Sequence, residues 1–224
     1  MEKIELDPGK FLNLFTLLSK NTRVAVLTAK TIKVGDQSVK GLFIDDYFEI
    51  SRAKLVISGG YMSSFSPPIA LGYLRVGGRQ INPLHKSWIT SGYFCTTGTE
   101  WTIEPATKEL PPTRYKDCLQ AGPLFIDEGV DRYVLGGTIS VNERKLAESE
   151  QIQAFVCSNK NGQLLFGVVD EIRLDKLSKW LVERGKCHSA LRLSGSTSAG
   201  LRVKDQLFGS NDLPLTDAIA VLPK

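Results

Sequence analysis

The sequence predicts a single α+β domain built on a mixed, strongly twisted β-sheet with few helices, and three observations carry that expectation. Many short segments rich in Val, Ile and aromatic residues are bounded by Gly, Asp or Ser, as short strands are. Twenty Gly and ten Pro punctuate the chain, which suits a turn-rich fold and not a helical bundle. Only two segments carry a helical stripe, and they lie far apart, so strands do not alternate with helices. The length of 224 residues fits one domain.

The elements follow in order. Phe11, Leu14, Phe15 and Leu18 fall at i, i+3, i+4 and i+7, with Asp7 as N-cap and Pro8 just inside the start, which predicts a helix. Strands are predicted over Arg23–Leu27, Ser38–Ile44 and Lys54–Ser58, the last apolar throughout its centre and so buried on both faces. More follow at Ile69–Val76, Trp88–Phe94, Asp117–Ile126, Ile152–Cys157 and Gln163–Val169. Leu174, Leu177 and Leu181 make one stripe beside Trp180, with Gly185 placed as C′, and predict a helix over Leu174–Arg184. Strands return at Ser189–Leu193, Gly200–Leu207 and Thr216–Leu222. Thr99–Lys116, with Pro105, Pro111 and Pro112, reads as a surface excursion. Residues 1–41 thus supply an N-terminal helix and strands, and 42–224 the main domain, the two forming one compact unit.

Composition removes several functions. At 42% hydrophobic and 23% charged, the chain is not of the disordered class. A net charge of +4, from scattered Lys and Arg, predicts no nucleic-acid partner. Apolar runs reach five residues at Ala218–Leu222, too short for a membrane span. The start, Met1-Glu-Lys-Ile-Glu-Leu-Asp7, has no apolar leader region, so a cytoplasmic location is expected unless a leader was trimmed. Cys95, Cys118, Cys157 and Cys187 form no C-x-x-C and are expected to be small buried apolar residues, not disulfides. Cys187-His188 is half of a metal site, and the only other histidine is His85, so neither metal nor cofactor is expected.

Three motifs have chemical potential. Ser58-Gly59-Gly60-Tyr61 ends the buried strand, where two glycines let the backbone turn and bring its N–H groups to a ligand, or simply turn. Gln120-Ala121-Gly122-Pro123-Leu124 places an amide inside an apolar strand beside a bend, which fits a site or a bulged edge strand. Leu193-Ser194-Gly195-Ser196-Thr197-Ser198-Ala199 offers hydroxyls and backbone N–H groups to phosphate or sugar oxygens, or is a plain Ser/Gly turn. It is neither a Walker loop nor a G-x-S-x-G elbow.

In this order the motifs resemble the phosphodiester glycosidase domain family, which includes an N-acetylglucosamine-1-phosphodiester glycosidase and bacterial exopolysaccharide-associated proteins. Its pattern runs Asn-Gly-Gly-aromatic, Gln-x-Gly-Pro-Leu, an Arg-Thr strand, a helix and Leu-Asp-Gly-Gly-x-Ser-Thr. The counterparts are Ser58–Tyr61, Gln120–Leu124, Gln153-Ala154, Leu174–Arg184 and Leu193–Ala199, within a resemblance spanning Leu42 to Leu222. It implies a ligand site of Ser58, Gly59, Gly60, Tyr61, Gln120, Gly122, Gln153, Gly195, Ser196 and Ser198.

Three positions depart from the pattern: Ser58 replaces Asn, Gln153 replaces Arg, and Ser194 replaces Asp. Glycosyl–phosphate cleavage passes through an oxocarbenium-like transition state assisted by a carboxyl group, and a cation helps to hold the phosphate. The catalytic candidates are therefore Ser194 in the aspartate's place and Asp170 with Glu171 as replacement acids; Asp127-Glu128 is a second acidic pair, and solvated strand ends are the alternative for both. The expected function is a hydrolase of a sugar-phosphate diester, weakened or repurposed. The alternatives are a non-catalytic binder of a phosphorylated sugar or nucleotide-like ligand, and a module presenting the scaffold to a protein partner. Either ligand-binding reading requires the three motifs to line one cleft.

Overall fold

A computed structural model describes residues 1–17, 22–32, 41–106, 109–134 and 139–223. In chain order the elements are β1 (Glu2–Asp7), β2 (Lys10–Leu17), β3 (Arg23–Thr28), α1 (Ile44–Ser51), β4 (Leu55–Ser58), β5 (Met62–Phe65), β6 (Pro68–Ala70), β7 (Leu74–Val76) and β8 (Arg79–Asn82). Then come β9 (Gly92–Thr96), β10 (Trp101–Pro105), β11 (Asp117–Ala121), β12 (Leu124–Asp127), β13 (Val130–Asp131), α2 (Val141–Glu148), β14 (Glu150–Asn159) and β15 (Leu164–Arg173). The last are α3 (Leu174–Glu183), β16 (Cys187–Gly195), β17 (Gly200–Val203), β18 (Gln206–Gly209) and β19 (Asp217–Leu222). No described helix is long and apolar enough to cross a membrane.

Among these residues the strands form a seven-stranded sheet, β1-β2-β15-β14-β16-β12-β13, and two five-stranded sheets, β10-β9-β11-β7-β8 and β18-β17-β4-β19-β3, with a small β5-β6 ribbon. Each described pairing is antiparallel. Alternation places Ala154 and Val156 of β14 and Leu191 and Leu193 of β16 in a central core. There they meet Leu55 and Ile57 of β4, Ile219 and Val221 of β19, and Phe94 of β9 with Leu119 of β11. The opposite face of the large sheet, with Phe155 and Ala190, is covered by Leu174, Leu177 and Leu181 of α3. Helix α1 covers the outer face of β4 and β19 with Ile44 and Tyr47.

Several expectations are corrected. The predicted N-terminal helix is strand β2, hydrogen-bonded between β1 and β15; Leu18 lies outside the described residues. Leu12 and Leu14 face the α3 side while Leu17 faces the central core, so a strand buried on both faces lost its period of two and imitated a helix. The predicted strand over Ser38–Ile44 has its described end in a bridge, Leu42 to Leu215, after which Ile44 opens α1. Asp46 accepts from the Phe43 N–H at 2.9 Å and Asn211 Oδ1 from the Ile44 N–H at 2.9 Å, satisfying donors at that helix start. Trp88–Thr90 is a 3₁₀ turn capped by Ser87, and the excursion Thr99–Lys116 contains β10.

The cysteines are also corrected: they pair as Cys95–Cys118 and Cys157–Cys187. Cys95 lies directly opposite Cys118 on β9 and β11, and the second bridge joins the neighbouring strands β14 and β16. Sequence separations of 23 and 30 gave no hint of either, because the sheet topology creates both proximities.

Candidate functional site

Two sheets meet at Gly59. Its N–H donates to the Asp217 carbonyl at 3.2 Å, and its carbonyl accepts from the Ser194 N–H at 2.8 Å, so β4 is pinned to β19 and to the end of β16. The approach excludes a side chain: a Cβ at Gly59 would lie 2.7 Å from the Asp217 carbonyl oxygen, and one at Gly60 would lie 3.0 Å from that of Gln120. Ser58, fully buried, accepts from the Gly200 N–H at 3.3 Å. All three motifs therefore converge on this seam.

The large polar group at the seam is Arg192, which the sequence reading did not single out. It is 1% exposed. Its Nε donates to Gln153 Oε1 at 2.5 Å and its Nη2 to Gln151 Oε1 at 3.0 Å. Nη1 is buried with no partner among the described residues, and no described carboxylate forms an ion pair with the group. The guanidinium lies 5.4 Å from the Tyr61 ring centre, and the Tyr61 hydroxyl is likewise buried and unpartnered. Burial without a compensating anion pulls its pKa down to about 9. It is thus a cation held ready by neutral amides, with one donor edge unused.

The second missed residue is Asp217. Its Oδ1 accepts from the Gly60 N–H at 2.7 Å and its Oδ2 from the Thr216 hydroxyl at 2.6 Å. Burial raises its pKa, with these two hydrogen bonds opposing. Both residues had a faint signal in the sequence. Arg192 stands between Leu191 and Leu193 in an apolar strand, and Asp217 precedes an apolar run.

The remaining candidates are placed as follows. Gln120 spends its amide on backbone: Oε1 accepts from Tyr73 and His85, and Nε2 donates to His85 and Thr90 carbonyls. It fastens the 82–91 segment. Gly122 admits that segment, since a Cβ there would lie 2.8 Å from Ser91 N, and Pro123 offers its carbonyl to the Arg192 N–H at 3.1 Å. The Ser194 hydroxyl donates to the Ser198 carbonyl at 2.8 Å, closing the loop in which Ser196 has φ of 55°. Gly195 and Ser198 are partly exposed at the rim, and Ser196 is exposed.

Asp170 accepts from the Phe11 N–H at 3.1 Å and so ties β15 to β2, while Glu171 is exposed; no described hydrogen bond or ion pair links either to the Ser194 loop. Asp127 and Glu128 line a different cavity. No group of three or more His, Cys, Asp or Glu among the described residues is placed to hold a metal, and Cys187 is committed to its disulfide.

With this geometry in view, the profile of the phosphodiester glycosidase family matches residues 51–222. The chain belongs to the phosphodiester glycosidase family. No curated protein matches it in sequence. Among solved structures, it is similar to the catalytic domain of zebrafish N-acetylglucosamine-1-phosphodiester alpha-N-acetylglucosaminidase, auto-inhibited by its pro-peptide. The TM-score is 0.72 at 13% identity, covering 97% of this chain and 85% of that one. A hypothetical protein from Synechocystis gives 0.68 at 10% identity, over 95% of this chain and 59% of that one. At these identities the structural likeness concerns the fold.

Gln153, where the resemblance expects an arginine, instead accepts from a guanidinium on the adjacent strand, that of Arg192. At Ser194 the hydroxyl serves the loop, and the buried acid across Gly59, Asp217, serves the Gly60 turn.

Proposed function

We propose that this member of the family binds a sugar-phosphate diester at the seam, with the anion seated on Arg192, and hydrolyses it slowly. The unused Nη1 edge of Arg192 carries the reading. A buried guanidinium without a counter-ion is costly, and an oxyanion is the partner that satisfies it in geometry and charge. Tyr61 adds a hydroxyl beside it, and the Gly195–Ser198 segment supplies rim groups for sugar oxygens. Hydrolysis is weak because no carboxyl faces the leaving group from position 194, and an acid/base group contributes roughly 10²–10⁴ in rate. The two disulfides support an oxidising compartment over the cytoplasm.

The test is calorimetric titration with UDP-glucose, a soluble sugar diester of diphosphate, alongside a turnover assay. Arg192→Met should weaken binding by about 10–100-fold and Tyr61→Phe by up to about tenfold, as lost charged and neutral hydrogen bonds do. Tyr61→Phe removes only a hydroxyl, so it reports even if Arg192→Met melts early. Unchanged affinity in a folded Arg192→Met protein defeats the proposal. Rapid hydrolysis unaffected by Ser194→Ala would move the chemistry away from position 194.

A further inference from the structure

A separate cavity of about 740 Å³ opens near the other end of β16. Its floor includes Ser189, three residues and roughly 10 Å along the strand from Arg192. Its walls come from the β9–β10 turn with Glu100, from Trp101 on β10, from Asp127-Glu128 and from Lys160 in the β14–β15 turn.

The charge of this cavity runs against that of the molecule. In a chain of net charge +4, Glu100, Asp127, Glu128 and also Glu104 line it against Lys160. Among the described residues the carboxylates of Glu100, Asp127 and Glu128 take no hydrogen bond and no ion pair; Glu104 accepts from the Thr102 hydroxyl at 2.6 Å. Arg114, itself bonded to the Tyr115 hydroxyl, is the cation whose field reaches Glu100 and Glu104. A second observation points to a ligand: Ser189 is 7% exposed, lines the floor, and its hydroxyl has no partner among the described residues.

Both disulfides brace these walls. Cys157–Cys187 immediately precedes Ser158 and His188 of the lining, and Cys95 lies opposite Thr102 of β10 while bonded to Cys118. The cavity is therefore preformed, and its volume is in the range of small-molecule sites.

We infer that it binds a small organic polycation bearing separated primary ammonium groups, a ligand of polyamine type. The carboxylates are not gathered into a metal cluster, so separated ammonium groups can meet them individually, and Trp101 of the lining stands close enough to report on occupancy.

Calorimetry of the intact chain at low salt tests this with spermidine, its N1,N8-diacetylated analogue and calcium chloride as probes. Spermidine should saturate at one per chain, the diacetylated form should bind at least about tenfold more weakly, and calcium should not compete. Glu100→Gln with Glu128→Gln should weaken spermidine at least about tenfold, whereas the exposed control pair Glu2→Gln with Asp205→Asn should not. Binding should also alter a fluorescence signal that Trp101→Phe removes. The inference fails if spermidine does not saturate at millimolar concentration, if the control pair weakens it equally, or if calcium displaces it. The amide substitutions are nearly isosteric and lie in turns, and the Trp101 signal in the wild-type chain reads the site without any carboxylate change.

Discussion

Gly195→Ala is the most demanding test of the Arg192 geometry. Gly195 has φ of −134°, extended backbone open to any residue, so any penalty must come from the methyl group itself. A Cβ there would overlap Arg192 Nη2 and would lie 2.7 Å from Cζ and 3.3 Å from Nη1. Nη2 can yield only by leaving Gln151. Losing one charge-assisted hydrogen bond costs about 1.5–3 kcal/mol, and overpacking a close-packed site costs about 1–3 kcal/mol. We expect about 3–5 kcal/mol of destabilisation, or a fall in Tm of roughly 10–15 °C for a chain of this length. Urea unfolding with an unchanged slope should report it. Gly162→Ala, at φ of 73° with nothing within 4 Å, should cost only about 1 kcal/mol of backbone strain. In a double-mutant cycle, Arg192→Met should recover at least about 2 kcal/mol of the Gly195→Ala loss. A loss below about 1 kcal/mol, or strict additivity with Arg192→Met, would refute the packing argument.

Other expectations follow from the same seam. Because burial raises the Asp217 pKa above its ordinary 3.8, the folded chain holds that proton more tightly than the unfolded one. Stability should therefore fall as pH rises from about 3.8 through the raised value, and Asp217→Asn should flatten that slope in urea unfolding measured at a series of pH values; parallel curves for the two proteins would contradict it. Gln153→Arg alone should destabilise by setting a second guanidinium against Arg192, while Gln153→Arg with Arg192→Gln moves the cation across the strand pair and should restore both melting temperature and UDP-glucose binding in part. Replacing Cys157 and Cys187 together by Ala should cost about 3.5 kcal/mol on a loop-entropy basis, checked by denaturant titration, and the same titration with reductant should lower the wild-type midpoint.

Strand Leu55–Ser58 was legible as a short continuous apolar run ended by two glycines, with Leu55 and Ile57 toward the central core and Val56 toward α1, and helix Leu174–Glu183 because its leucines sit against one neighbour in a regular period. Strand β2 was not, since burial on both faces erased its alternation. Helix α1 was hidden because its start depends on Asn211, distant in sequence. The glycine and Gly-Pro positions at the seam were readable from local chemistry alone. Arg192 was not, because what makes it unusual is the set of strands around it: an arginine becomes a buried, unpaired cation only once β14 and β16 lie side by side. Reading position 153 by itself suggested a lost charge, whereas the structure sets the Arg192 guanidinium against it from the adjacent strand.

Strand β3 pairs along its length with β19, from Arg23 opposite Leu222 to Thr28 opposite Asp217. Nearly two hundred residues separate these partners, so a growing polypeptide carries an unmated, Val-rich strand until those residues have been made. Val24 and Val26 find their places in the central core only when residues 217–222 leave the ribosome. Until then Asp217 is also missing from the Gly59-Gly60 turn, so the seam cannot close before residue 217 has been made. Expression should accordingly reward slow, cool conditions and chaperones that shield open sheet edges during translation.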